Sequence, residues 1–335
     1  MNFNLANIGI LRSKNFTQKK RDLIMGAFTV GVIFIVSLFS SDPVLDFLCR
    51  TVIFMLFATA VNIILGFGGL RPLGQATFFG FAAYAYVFLI VRAGLSVWIA
   101  LPLALLITVA LAAFLGVLTL RANDDLVFAF MNMGINILLW TTVQKMQIVG
   151  SDTGLTGATR LPFATSTRAN FYVCFVVCVV CIILIYYFFH SPFATTLKGT
   201  RENIQRMTFI GYNTRNTRLT AYMVSAFFCG IAGLLYSMRN MGAFPVMISS
   251  NTSMDGLIMC LVGGMGSFFG PILGAFIITF INVELPIYTQ YYQAVLGVIT
   301  CLCVLFLQGG IIRDKKELDL EETSVKGSGR VSANG

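Results

Sequence analysis

The residues able to do chemistry are few, and no set of them makes a catalytic centre. The one histidine, His190, stands at the end of an apolar run beside Ser191 and Pro192, with no second histidine to share a metal ion. No metal site is assigned. The chain contains no Gly-Lys dipeptide, so the phosphate loop G-x-x-x-x-G-K-[ST] cannot be written from it. Any ATP must be bound by another polypeptide. Cys178 and Cys181 form a C-x-x-C, and Cys174 joins them at helical spacing, but all three fall inside one apolar run, where small packing residues are the favoured reading over redox chemistry.

What remains is polar chemistry without catalysis. Gln75, Asn132 and Asn136 interrupt apolar runs, and Asn132 and Asn136 are one helical turn apart. They can line a path for a polar solute or bond a neighbouring helix. A charged group near the bilayer centre costs about 2.5–3.5 kcal/mol and would mark ion coupling. Asp255 and Glu284 are instead expected near span ends, where water reaches, which counts against an ion-driven carrier. The longest polar interruption runs from His190 to Arg218 and carries five Lys/Arg against one acid, Glu202. Ile204, Met207, Phe209 and Ile210 give it apolar positions, Thr200 offers a cap and Gly211 a stop. A helix of about ten residues is marginal alone in water, so this segment needs a membrane surface or a partner to dock on.

The elements that must position these residues are membrane spans. Of the 335 residues, 57% are hydrophobic and 11% charged, against about 25% charged in soluble domains. Runs of roughly 18–20 apolar residues suffice to cross about 30 Å as helices. Ten are read: Leu23–Ser40, Thr51–Phe67, Leu73–Val91, Val97–Leu120, Leu126–Val143, Phe171–Phe189, Leu219–Met238, Met254–Phe268, Pro271–Pro286 and Tyr291–Leu307. The fold class is an all-α integral membrane protein. Its domains are a basic cytoplasmic segment 1–22, a transmembrane domain 23–312 holding the loop 190–218, and a polar cytoplasmic tail 313–335 read as disordered. With both termini inside, seventeen Lys/Arg fall in inside segments and six outside, of 23 in the chain, as the positive-inside rule requires. The net charge of +9 is thus spent on orientation, not on nucleic acid. Two glycine-rich breaks, Gly68-Gly69 and Gly263-Gly264 with Gly270, interrupt the spans, and the pair Met254–Phe268 and Pro271–Pro286 is short enough to be half-helices meeting at Gly270.

Four stretches carry a family resemblance. SPFATTLKGTREN at Ser191–Asn203, GFGGLRPLGQATFFGFAAY at Gly66–Tyr84, GLTG at Gly154–Gly157 and LVGGMGSFFGPILGA at Leu261–Ala275 resemble, in order, motifs of the permease subunits of branched-chain amino acid ABC importers, the LivM type. Arg71-Pro72, Ala194 and Ala158-Thr159-Arg160 depart from the family pattern. The resemblance implies an ABC importer permease fold in a bacterial plasma (inner) membrane. It implies two cytoplasmic ATPase subunits that bind ATP and Mg, a second related permease, an extracytoplasmic binding protein and surrounding lipid. This chain would bind no cofactor itself. Arg201, Glu202, Asn203, Arg206 and Gly211 would form the ATPase-coupling loop, with Gln75, Asn132 and Asn136 along the translocation path. The implied solute is a branched-chain or similar small apolar amino acid. Urea, amides or another small solute are the alternatives within the family, and an ion-coupled secondary carrier lies outside it.

Overall fold

A computed structural model describes residues 31–121, 124–159, 166–288 and the short pieces 290–291, 294–295 and 297–298. The expected segments 1–22 and 313–335, Arg160, the start of the first span and most of Tyr291–Leu307 lie outside the described residues. Residues 31–39 are helical (α1), followed by α2 (Asp42–Asn62), α3 (Ala76–Val91), α4 (Val97–Thr119), α5 (Asp125–Lys145), α6 (Thr167–Phe189), α7 (Pro192–Glu202), α8 (Ile204–Phe209), α9 (Thr214–Asn240), α10 (Ser250–Gly263) and α11 (Gly270–Tyr288).

Among the described residues, six helices are long and apolar enough to cross a membrane: α2 with its extension, α4, α5, α6, α9 and α11. The apolar α3 is shorter. α2 is the axis of the bundle. From Thr51 to Asn62 it is almost entirely apolar and every residue is buried, as a helix apolar on all sides must be, and α6, α9, α10 and α11 pack around it. The helix starts at Asp42, earlier than the expected Thr51, because Asp42 and Pro43 suit a first helical turn. Arg50 thereby moves from a loop into the helix. α4, α5 and α6 turn large apolar side chains outward, among them Leu106, Phe114, Phe130, Leu138 and Val176, a surface suited to hydrocarbon.

The expected span Met254–Phe268 takes a different form. α10 runs from Ser250 to Gly263 and has 14 residues, about 21 Å at 1.5 Å per residue, too short for a 30 Å crossing. It folds back on α11 as a hairpin. A Cβ at Gly263 would come within 1.8 Å of the Gly270 carbonyl oxygen, so the glycines set how closely the two helices approach. The loop after α5 holds the Gly154–Gly157 motif. It contains Leu155–Thr156, paired antiparallel with Gly242–Ala243 as a minimal two-stranded ribbon.

Candidate functional site

The segment 190–218 folds into an elbow. Ser191 caps α7, its Oγ accepting from Ala194 N at 3.3 Å, with Pro192 in the first turn. The cap of α8 is Asn203, whose Oδ1 accepts from Arg206 N at 2.9 Å. Thr200, the expected cap, is buried within α7 and bonds Thr196 O at 2.9 Å. An extended residue between the two helices is what lets Asn203 reach forward, with φ −158° and ψ 106°. Gly211 ends α8 at φ +98°. Its N–H donates to Thr208 O and that of Tyr212 to Met207 O, the paired closure that a left-handed residue permits. Met207 packs its sulfur beside Gly199 and so folds α8 back onto α7. At the tip, Phe209 is 90% and Ile210 71% exposed. Arg215 and Arg218 fall in the first turns of α9, where Arg218 pairs with Asp125 at 3.6 Å.

The root of the elbow touches both glycine-rich breaks. After Asn62, α2 widens into a π-turn, Ile63–Phe67. Asn62 Nδ2 donates to Ser267 O at 2.8 Å, and its Oδ1 accepts from Gly266 N at 3.3 Å, so the breaks lie against each other across some two hundred residues of chain. Arg201 Nη1 donates to Gly66 O at 2.6 Å. Gly69 has φ +68°, and a Cβ there would stand 2.5 Å from Arg201 Cγ. Phe67 stacks on Phe189 with centroids 3.9 Å apart, and Lys198 Nζ lies 4.4 Å from the Phe67 centroid. Glu202 and Arg206 are exposed. The arrangement ties an exposed elbow to a break in the central helix.

The three amides are all buried but differ in their partners. Asn132 Oδ1 accepts from the Tyr222 hydroxyl at 2.6 Å, and its Nδ2 donates to Phe128 O at 3.0 Å. Asn136 Nδ2 donates to Ile248 O at 2.7 Å and Thr77 Oγ1 at 3.0 Å, and Oδ1 accepts from Ser250 Oγ at 3.1 Å. Both asparagines therefore tie α5 to other elements. Gln75 is 1% exposed, yet its Nε2 has no hydrogen-bond partner.

Sequence reasoning missed one feature, a cavity whose lining includes Arg50, Asp255, Asn282 and Trp140. The available signal was the spacing of Asp42, Asp46 and Arg50, each four residues from the next, which places all three on one helical face.

The described residues form an all-α bundle with six helices long and apolar enough to cross a membrane, a glycine-broken central helix and an exposed elbow. The model of the family described as branched-chain amino acid transport system, permease component, matches residues 44–305, and the chain belongs to that family. It is similar to the high-affinity branched-chain amino acid transport system permease protein LivM of Salmonella typhimurium, with 26% identity over 84% of this chain and 73% of the relative. The LivM of Escherichia coli strain K12 is 25% identical over 86% and 74%. A shorter match, 30% identical over 28% of this chain and 29% of the relative, is to the autoinducer 2 import system permease protein LsrC of Photorhabdus laumondii. No solved structure matches.

Proposed function

We propose that the chain is the permease subunit of an ATP-driven importer for branched-chain or similar small apolar amino acids. Two cytoplasmic ATPases, binding ATP and Mg, dock on the elbow, and an extracytoplasmic binding protein delivers the solute to a pair formed by this chain and a related permease. The chain is multi-pass in a bacterial inner membrane, with both termini and the elbow in the cytoplasm. Arg201, Glu202, Asn203, Arg206 and Gly211 shape the coupling contact, while Gln75, Asn132 and Asn136 border the path.

The observation that carries this reading is the elbow itself. Phe209 and Ile210 expose apolar surface at its tip, which a docked protein would cover, and its root is bonded to the break in α2 through Arg201 and Gly66. A partner that moves the tip shifts an equilibrium only if its contacts differ between two states, and the π-turn is the element suited to have two.

The test is leucine uptake by the complete importer in proteoliposomes. Uptake is expected to require ATP on the elbow side and to survive collapse of the proton and sodium gradients. Uptake that follows a gradient and persists without ATP would establish an ion-coupled carrier instead. The same importer serving urea, an amide or another small solute is a second reading, supported by the short match to a permease named for a different solute. Competition of each compound against labelled leucine separates the two.

A further inference from the structure

Arg50 is sixteen residues before Gly66 on the central helix, roughly 24 Å away along its axis. There, far from the elbow, lies a cavity of about 910 Å³, within the range of about 300–1,000 Å³ typical of small-molecule sites. Its wall carries opposite charges that stand beyond ion-pair distance of each other. Arg50 comes from α2 and Asp255 from α10, and both are half-buried. The ion pairs among the described residues join Arg168 to Asp42, Arg218 to Asp125 and Arg239 to Asp46; none joins Arg50 to Asp255. Arg50 Nε is buried without a hydrogen-bond partner. Asp255 Oδ2 has one long contact, 3.5 Å from Asn282 Nδ2 on α11, and Asn282 also lines the cavity.

Part of the wall is aromatic. The Arg50 guanidinium lies 5.7 Å from the Phe54 centroid. Phe54, Phe79 and Tyr236 form a cluster with pairwise centroid distances of 5.5 to 6.1 Å, and Trp140 also lines the cavity. Holding a cation and a carboxylate half-buried and out of contact with each other costs desolvation energy that packing does not return. A ligand carrying both opposite charges offsets that cost. A simple anion would face Asp255 and Asp152, the latter exposed on the wall; a simple cation would face Arg50; a neutral polyol would leave both charges uncompensated.

We propose that this cavity is a recognition subsite for a zwitterionic α-amino acid. Arg50 takes the carboxylate, Asp255 with Asn282 takes the ammonium, and the Phe54, Phe79 and Tyr236 surface takes an apolar side chain. The assignment rests on the importer reading given under Proposed function. It adds that this permease checks the main-chain charges of its solute after delivery.

The test places a cysteine at Asn251, which is exposed and lines the cavity, and follows its maleimide labelling in the complete importer, with the parent chain labelled in parallel as background. Leucine slows labelling. Leucinamide, which lacks the carboxylate, and isocaproate, which lacks the ammonium, do not. Arg50→Gln and Asp255→Asn each raise the leucine concentration for half protection by about tenfold or more, the loss of one charge-assisted hydrogen bond. Equal protection by all three compounds, equal protection in both variants, or no protection by leucine while leucine is transported overturns the subsite and leaves the importer reading standing. Absence of ATP-dependent leucine uptake by the parent importer overturns that reading and the subsite with it.

Discussion

Arg201 Nη1 donates to the carbonyl oxygen of Gly66 across 2.6 Å, so a residue of the elbow holds the backbone of the central helix at its π-turn. The carbonyl belongs to a stretch where the regular helical ladder is broken, and a charged donor meets a group whose usual partner is displaced. A hydrogen bond to a charged group contributes about 1.5–3 kcal/mol, so its loss would loosen the break.

Replacing Arg201 and Glu202 together by alanine is therefore expected to abolish uptake while membrane insertion is retained, because both side chains leave the apolar core untouched. Uptake per inserted protein, with insertion measured by protease accessibility, checks it. Uptake at the parent level in an inserted double variant would remove the elbow from coupling.

Gly69 and Gly211 both adopt positive φ, at +68° and +98°, but they differ in surroundings. A Cβ at Gly69 would meet Arg201 Cγ at 2.5 Å, whereas one at Gly211 would meet nothing within 4 Å. Gly211→Ala is expected to cost only the backbone strain, about 1 kcal/mol. Gly69→Ala adds a clash and displaces the Arg201 side chain, so it lowers both thermal stability in detergent and uptake. Equal effects of the two substitutions on uptake would show that the Arg201 contact is not the sensitive point.

Asn136 and Gln75 separate stability from transport. Asn136→Ala removes an amide engaged with Thr77, Ile248 and Ser250 and leaves the Ile248 carbonyl without that partner, at a cost of about 1–3 kcal/mol. Gln75 Nε2 is already unpartnered, so Gln75→Leu is expected to be neutral or stabilising while reducing uptake. Thermal unfolding of each variant in detergent and uptake by the complete importer, taken together, distinguish the two. Loss of stability in Gln75→Leu would make that glutamine a packing residue.

The spans were legible because length and apolarity alone decide what can cross a bilayer, and α4, α5, α6 and α9 agree with their expected positions to within a few residues. The break in α2 was legible at Gly68 and Gly69, whereas its contact with Gly266 and Ser267 was not, since nothing local to either stretch encodes a partner two hundred residues away. Thr200 looked like a cap because only its type and the following acid were visible; it lies buried inside α7, and the cap of α8 is Asn203. Arg50 was read as a loop residue because the apolar run begins after it. Asp46, paired with Arg239, lets the helix begin earlier with charges on a shared face. Gln75, Asn132 and Asn136 could not be ranked by polarity, since their difference lies in their partners.

Phe209 gives the last prediction, which concerns what covers the elbow. At 90% exposure its side chain contributes almost nothing to the chain's own core, so Phe209→Cys is expected to fold and insert normally. Large apolar side chains also point outward at Leu138, which is 62% exposed on α5, but that helix carries an apolar surface suited to lipid. A short cysteine-reactive cross-linker applied to the membrane-embedded importer is therefore expected to join position 209, and not a cysteine placed at 138, to a nucleotide-binding protein identified by mass spectrometry. ATP should change the yield at 209, since a contact that transmits work must differ between the two states of the partner. Cross-links from 209 to lipid alone, in vesicles that accumulate leucine with ATP, would move the docking surface away from α8 and leave Arg201 as a structural tie of the break.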